Sequence, residues 1–393
     1  EAAREHLARG AYGELADSAL GELDGIEQTL AKVGESLAEV LPASAAAELS
    51  ARLQRAIPHL VGFRRWLAGE RASMQPFQAI GREAFAAFLT GVAHVPYTPD
   101  EMLVLARQEI AAASVWEVVA EGREGEQRAA SSLPVDAAAQ CERERVLEHE
   151  VRAYYEAHGL LSQPASLRHY YNLPRPGYLT LLRFLGVTDD LTDPSRRGVD
   201  ATSYVPEPGE SLAYFYRANA VDPRLGIVHE GVHSEQLALS WGHADPLRRE
   251  YCDSTANEGI AFYNEELMLQ AGLFEDNRQA TRVLHNFMRL RAMRVVVDVR
   301  LALGEMSIEE AGEYLEQHVP MDRETALHEA AFFAATPGQG LSYQVGKWQI
   351  EELLAAALAA RPDLGLRRLH DYLWLNGNVP PGLLLPELLA LAP

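Results

Sequence analysis

The chain is short of cysteine, of long apolar runs and of positive charge, and each shortage removes a class of function. Its two cysteines, Cys141 and Cys252, stand far apart in 393 residues and match no metal or redox spacing. They cannot build a disulfide framework, and a reducing, cytoplasmic compartment is expected. No run of about 18 apolar residues occurs, so no spanning helix is expected. Lys and Arg number 35 against 56 Asp and Glu, a net charge of −21. Proteins that hold duplexes or anionic membranes do so with basic side chains, so neither nucleic acid nor a membrane is an expected partner. Disorder is excluded as well, because 48% of the residues are hydrophobic and only 23% charged, enough apolar surface for a sizeable core. The chain opens on Glu1 rather than Met, without a charged-then-apolar leader, and an incomplete N-terminus is expected.

What is present is helix. Residues 1–120 read as successive amphipathic helices rich in Ala, Leu, Glu and Arg, punctuated by Pro42, Pro58, Pro76 and the Pro96–Pro99 pair. Residues 122–138 are polar and form the best linker candidate, and helix resumes through Cys141–His158. The stretch 172–210 is too rich in proline and glycine for a long helix. Leu212–Arg217 (LAYFYR) is the best strand candidate, placed to pair with an extended substrate. Helical period returns from Asp222 to Ala360, with breaks at Gly242, Gly272, Gly304 and Pro337. The expected architecture is mostly α: an N-terminal helical region over 1–120, a linker and irregular segment over 121–210, and a catalytic helical region over 211–393, with the three open to being one continuous domain.

The informative segment is Val228-His229-Glu230-Gly231-Val232-His233, an H-E-x-x-H pattern. On a helix, positions four apart share a face, so both imidazoles can reach one cation. Glu230 is rotated beside that face, where a carboxylate can take a proton from a metal-bound water. In this composition about 0.04 such matches are expected by coincidence. Asp222 and Pro223 supply a helix start, and Gly242 a stop. A catalytic zinc takes three protein ligands. Glu258, on the next helix after the capping candidates Asp253, Ser254 and Thr255, is the expected third, in the first helical turn and on a face with Phe262, Glu265 and Leu269. His243, Asp253 and Glu265 are the alternatives.

Several longer runs carry a resemblance. HEGVHSEQLALSWGHADPLRR, YCDSTANEGIAFYNEELMLQAGLF, NFMRLRAMRVVVDVRLALGEMS, TPGQGLSYQVGKWQI and LHDYLWLNGNVPPGLL are similar to the domain of unknown function 885 family, bacterial proteins regarded as zinc hydrolases. The resemblance covers roughly residues 80–390. It implies a large helical body similar to the Glu-zincin peptidases, a small β element before the metal-binding helix, Zn²⁺ as cofactor, and hydrolysis of a peptide or small amide bond. Many family members carry a Pro-Gly pair between the His-Glu and the second His. This sequence lacks the pair, which leaves the ligand residues intact and puts the shape of the site, and so the substrate, in question.

Four further groups bear on substrate. Arg294 interrupts the stripe Val283, Phe287, Leu290, Val297 and Leu301. Its partner is either Asp298, four residues on, or a substrate carboxylate held in the planar guanidinium fork. Arg291, one turn earlier, is placed to do the same. Tyr343 opens a face shared with Lys347, Ile350 and Leu354, and the resemblance puts this element near the site, with Tyr343 as a donor to the developing oxyanion and Lys347 as a substrate contact. His370-Asp371 resembles the family's terminal His-Asp and reads either as a substrate contact or as a packed pair. The expected substrate is a short peptide or acyl amino acid. A metalloenzyme tailoring a small metabolite and a non-catalytic binding protein on a peptidase-like fold are the alternatives. The sequence does not set the oligomeric state.

Overall fold

The computed structural model describes residues 2–8, 10–122, 133–181, 189–190, 194–209 and 212–391. Most of the expected linker at 122–138 therefore lies outside the described residues. The body is helical, as the periodicity implies. Helix Arg278–Leu303 runs through its centre and gives residues to four core clusters: Leu284 and Phe287 to one, Val295 and Val299 to the second, Leu290, Val297 and Leu301 to the third, and Met288 to a small fourth. Apolar residues on every side make a helix that others must cover. Pro99–Gly122 lies along it, and the hairpin Ile308–His318 and Arg323–Ala335 packs on its far half. Gly304 ends it in the left-handed conformation at φ 73°, where a side chain would be strained.

Two expectations about elements are corrected. Pro58 does not break a helix but sits inside Ala43–Glu70. One backbone donor is missing there, and the Ala- and Leu-rich turns on either side carry the helix across. LAYFYR is not a strand: Tyr214–Val221 is helical. Tyr214, Ala218 and Val221 recur at helical spacing, and Tyr214 and Phe215 pack on Phe287 with ring centroids 5.6 and 5.4 Å away. The β element lies earlier in the chain. Strand β1 (Tyr170–Pro174) pairs in parallel with β3 (Ala201–Val205), and β2 (Asp189–Asp190) pairs antiparallel with β3 on its other side. This small sheet leans on helix Ala137–Ala157 and precedes the motif.

One contact sets the spacing of two helices that bear candidate site residues. Helices Ser254–Gln270 and Ser342–Ala360 cross with their backbones touching at Gly259 and Gly346. A Cβ built on Gly346 would stand 1.9 Å from the Thr255 carbonyl oxygen and 2.7 Å from the Gly259 Cα. No side chain fits there without separating the helices. Gly346→Ala should therefore lower stability by about 3 kcal/mol, at the upper end for an overpacked core. Gly69→Ala, where a Cβ meets nothing within 4 Å, should change it by less than about 1 kcal/mol. Urea denaturation of the two variants checks the contrast, and equal midpoints would contradict the close crossing.

Candidate metal centre

The H-E-x-x-H segment is helical, but its first part is wound more loosely than an α-helix. Arg224–Gly226 leads into a π-helical turn, Ile227–Gly231, and then into Val232–Ser240. The Asp222 carboxylate caps the start by accepting the Arg224 N–H at 3.1 Å. It is held in turn by the Arg224 guanidinium and by the Asn277 amide. A π turn displaces backbone groups from their regular partners. Here the Val228 carbonyl accepts a hydrogen bond from the Asn264 side chain at 2.8 Å, and the same amide also donates to Tyr155. Asn264 is fully buried. It ties the motif to helix Ser254–Gln270, the helix that carries Glu258.

That helix starts where expected. Asp253 caps it by accepting the Thr255 and Ala256 N–H groups, and Gly272 follows its end at φ 95°. Glu258 lies one turn further in than expected, past the first turn. Its Oε2 stands 3.7 Å from His229 Nε2 and 3.6 Å from His233 Nε2. The two imidazole rings are nearly perpendicular, at 88°, with centroids 5.1 Å apart. Donor atoms bound to one zinc in a tetrahedron lie roughly 3.4 Å apart. Glu258 Oε2 and His233 Nδ1 are buried without a hydrogen-bond partner. Three neutral-or-anionic donors converging at this spacing, one of them an orphaned carboxylate oxygen, fit a divalent cation.

The electrostatics agree with that fit. Burial alone would lower the His229 pKa, but Glu258 and Glu265 outweigh it and hold it up at about 10. Burial would raise the Glu258 carboxyl, and its contacts with His229 and His233 instead draw it well below the usual carboxylate range. Two anions thus draw positive charge onto the His229 imidazole. A proton supplies it in one state of the protein, and a metal would supply it in the other.

Glu265, an alternative ligand in the sequence, takes a different place. It is 1% exposed, and its Oε1 sits 2.7 Å from His229 Nδ1 and 2.8 Å from Arg291 Nη2. It orients the imidazole from behind, so that Nε2 points to Glu258 and His233. Such carboxylate–histidine contacts raise ligand basicity, and their loss costs about 10–100-fold in metal affinity. Glu265→Gln is expected to weaken zinc binding by that factor with unchanged stoichiometry. Competition against a chelating dye measures it, and wild-type affinity would remove Glu265 from the site.

A cleft of about 350 Å³ opens beside this group. His229, Glu230, Glu265, Arg291, Arg294 and Tyr343 line it on the helical side. Tyr170 and Asn172 of β1 and Ser203–Val205 of β3 form the facing wall. Sequence reasoning missed this wall, because no alternation marks the two strands. Glu230 is half-buried on the cleft. Tyr343 lies beside His229, ring centroids 6.3 Å apart. Burial first, and then the charge of Glu258, raises the Tyr343 phenol above its ordinary value, so it keeps its proton.

The arginines are corrected in part. Arg294 does not pair with Asp298. Its Nε and Nη2 both bind Glu329, the Nε at 3.0 Å. Asp298 instead accepts the backbone N–H groups of Gly338 and Leu341, both at 2.9 Å. It thereby pins the loop that opens the helix bearing Tyr343. Lys347 and His370 do not line the cleft. Lys347 is enclosed by Glu109, Glu266 and Glu351, each within 3.8 Å. His370 is fully buried between the Tyr263 hydroxyl at 2.8 Å and the Leu160 carbonyl at 2.7 Å. Asp371 accepts from Ser162. The packed-pair reading is the one the contacts favour. His243 and Asp253 serve as a turn contact and a helix cap.

A second group, Glu148, His149 and His169, also brings three donors together. Its carboxylate is already engaged by Arg152 at 2.6 Å and His169 at 2.7 Å, and Arg145 lies over the neighbouring Tyr171 ring. Two guanidinium groups beside it favour an ion network over a cation site.

No protein of curated function matches this chain. The fold is shared with two solved bacterial structures, each described as a "putative lipoprotein". One, from Colwellia psychrerythraea, is 19% identical with a TM-score of 0.73, covering 95% of this chain and 69% of its own. The other, from Shewanella oneidensis and of unknown function, is 14% identical with a TM-score of 0.67, covering 94% of this chain and 72% of its own. Among the described residues no helix is long and apolar enough to cross a membrane. The motif, both candidate-ligand helices and the Tyr343 helix all fall within residues 193–388, the stretch that matches the family described as "Bacterial protein of unknown function (DUF885)".

Proposed function

We propose that the chain is a zinc-dependent hydrolase that cleaves a peptide or small amide bond with water. The observation that carries this reading is the convergence of His229 Nε2, His233 Nε2 and Glu258 Oε2 beside a cleft that also holds Glu230. A bound Zn²⁺ would supply a Lewis acid and a water whose pKa falls to about 7. Glu230 lies outside the ligand group, so its carboxylate is free to take a proton from the attacking water and pass it to the leaving nitrogen as the C–N bond breaks. Tyr343, kept protonated, donates to the carbonyl oxygen as that oxygen gains charge. Phe215, Tyr216 and Phe287 offer an aromatic bed for a substrate side chain. The cleft volume suits a short peptide or an acyl amino acid.

A scaffold protein on this fold would have no use for a general base beside a donor cluster. Zinc-loaded and metal-stripped protein should therefore be compared on a panel of short peptides and N-acyl amino acids. Amine release by the loaded form alone is the expected result, and a fully loaded but inert protein would overturn the reading. A reducing compartment belongs to the same proposal, on the strength of two free cysteines. Cell fractionation tests it, and recovery with the envelope would overturn it.

A further inference from the structure

We infer that the substrate carries a free carboxylate on the carbon attached to the leaving nitrogen, and that Arg291 holds it. The inference rests on the hydrolase reading and adds the substrate's charge and orientation.

Arg291 lines the cleft yet is only 4% exposed. One of its nitrogens, Nη2, binds Glu265 at 2.8 Å, while Nε and Nη1 are buried without a hydrogen-bond partner. A guanidinium taken out of water with most of its donors unused is costly unless something completes it. The anion it binds is shared, because the same Glu265 oxygen also faces His229. Arg294, by contrast, has a carboxylate of its own: both oxygens of Glu329 pair with its Nε and Nη2. The two arginines of the cleft therefore differ in kind: one is neutralised, and the other is built to receive an anion.

The surroundings hold the fork still. Its central carbon lies 4.9 Å from the Phe287 ring centroid, 5.3 Å from Phe262 and 5.7 Å from Tyr343. Aromatic faces favour a planar cation and strengthen its pull on a carboxylate by excluding water. A carboxylate takes a remaining edge of the guanidinium while Nη2 keeps Glu265. Position then gives orientation. Arg291 lines the same cleft as Glu230 and Tyr343, its central carbon 5.7 Å from the Tyr343 ring centroid, so an anion held there shares the cleft with the carbonyl under attack. An α-carboxylate next to the scissile amide has that reach, as at the C-terminus of a peptide or in an N-acyl amino acid. A distant side-chain carboxylate would bring the wrong bond to Glu230.

The test measures binding rather than turnover. The probes are N-(mercaptoacetyl)phenylalanine and its C-terminal amide, whose thiols bind zinc alike, titrated calorimetrically into zinc-loaded protein. The acid should bind at least about tenfold tighter than the amide, the scale of a buried charged contact. In Arg291→Met the gap should close through loss of acid affinity, with the amide unchanged. Arg291→Lys keeps a charge beside Glu265 but loses the fork, and should narrow the gap severalfold even if the Met variant fails to fold. Equal affinity of acid and amide for the unaltered protein overturns the inference and leaves the metal reading intact. So does a gap that persists undiminished in both variants. Failure of the protein to hold zinc, with neither probe bound, overturns the hydrolase reading and this inference with it.

Discussion

Zinc titrated into the metal-free protein should be taken up at about one ion per chain, and His233→Ala should abolish that uptake. The expected effect is large because the group has no spare donor. His229, His233 and Glu258 meet within 4.8 Å of one another, and removal of one leaves two donors for an ion that takes three. Glu265 does not substitute without giving up His229 and Arg291, both of which it already holds. Structural consequences should be small by comparison. His233 Nδ1 is buried without a hydrogen-bond partner, so truncation breaks no hydrogen bond at that atom. Metal content by mass spectrometry and melting temperature, measured together, separate loss of the ion from loss of the fold. Full zinc in a His229→Ala/His233→Ala double variant would place the ion elsewhere.

Glu230→Gln should leave zinc content unchanged and lower turnover by about 10²–10⁴-fold, the contribution of a positioned proton acceptor. The substitution keeps size and hydrogen-bonding reach and removes only basicity. Glu230 is outside the ligand group and half-buried on the cleft, so the substitution removes no ligand atom. Single-turnover measurements on any substrate from the amide panel would show the loss in the chemical step. Near-normal turnover by the zinc-loaded variant would assign the proton transfer to another group.

Much of this site was legible in the chain because its parts are local. His229 and His233 share a helix face by spacing, and Glu258 follows a capping residue on the next helix. Both statements need only helical period and cap chemistry. The illegible part depends on contacts between distant segments. Arg294 pairs with Glu329, which lies 35 positions away on another helix, and nothing in the local pattern prefers it to Asp298 on the same helix. Asp298 satisfies a loop 40 residues on. The roles of Glu265 and Asn264 depend on the interhelical packing between the motif and the Glu258 helix. LAYFYR misled because aromatic residues favour strands and buried helix faces alike. The strands β1 and β3 are five residues each and distant in sequence, too short for alternation to announce them.

The backbone contact between Gly259 and Gly346 has a mechanical consequence. Most packed helices are separated by a layer of side chains that can change rotamer and let one helix slide over the other. Here that cushion is missing at the crossing, so the helix bearing Glu258 and the helix bearing Tyr343 move as one stiff body, pivoting together or not at all. Whatever opening and closing the cleft needs to admit and release a ligand falls to its opposite side, where a small sheet and the short Tyr214–Val221 helix face the rigid pair. Hydrogen exchange should reflect this division, with slow amides at the glycine crossing and faster ones along β1 and β3.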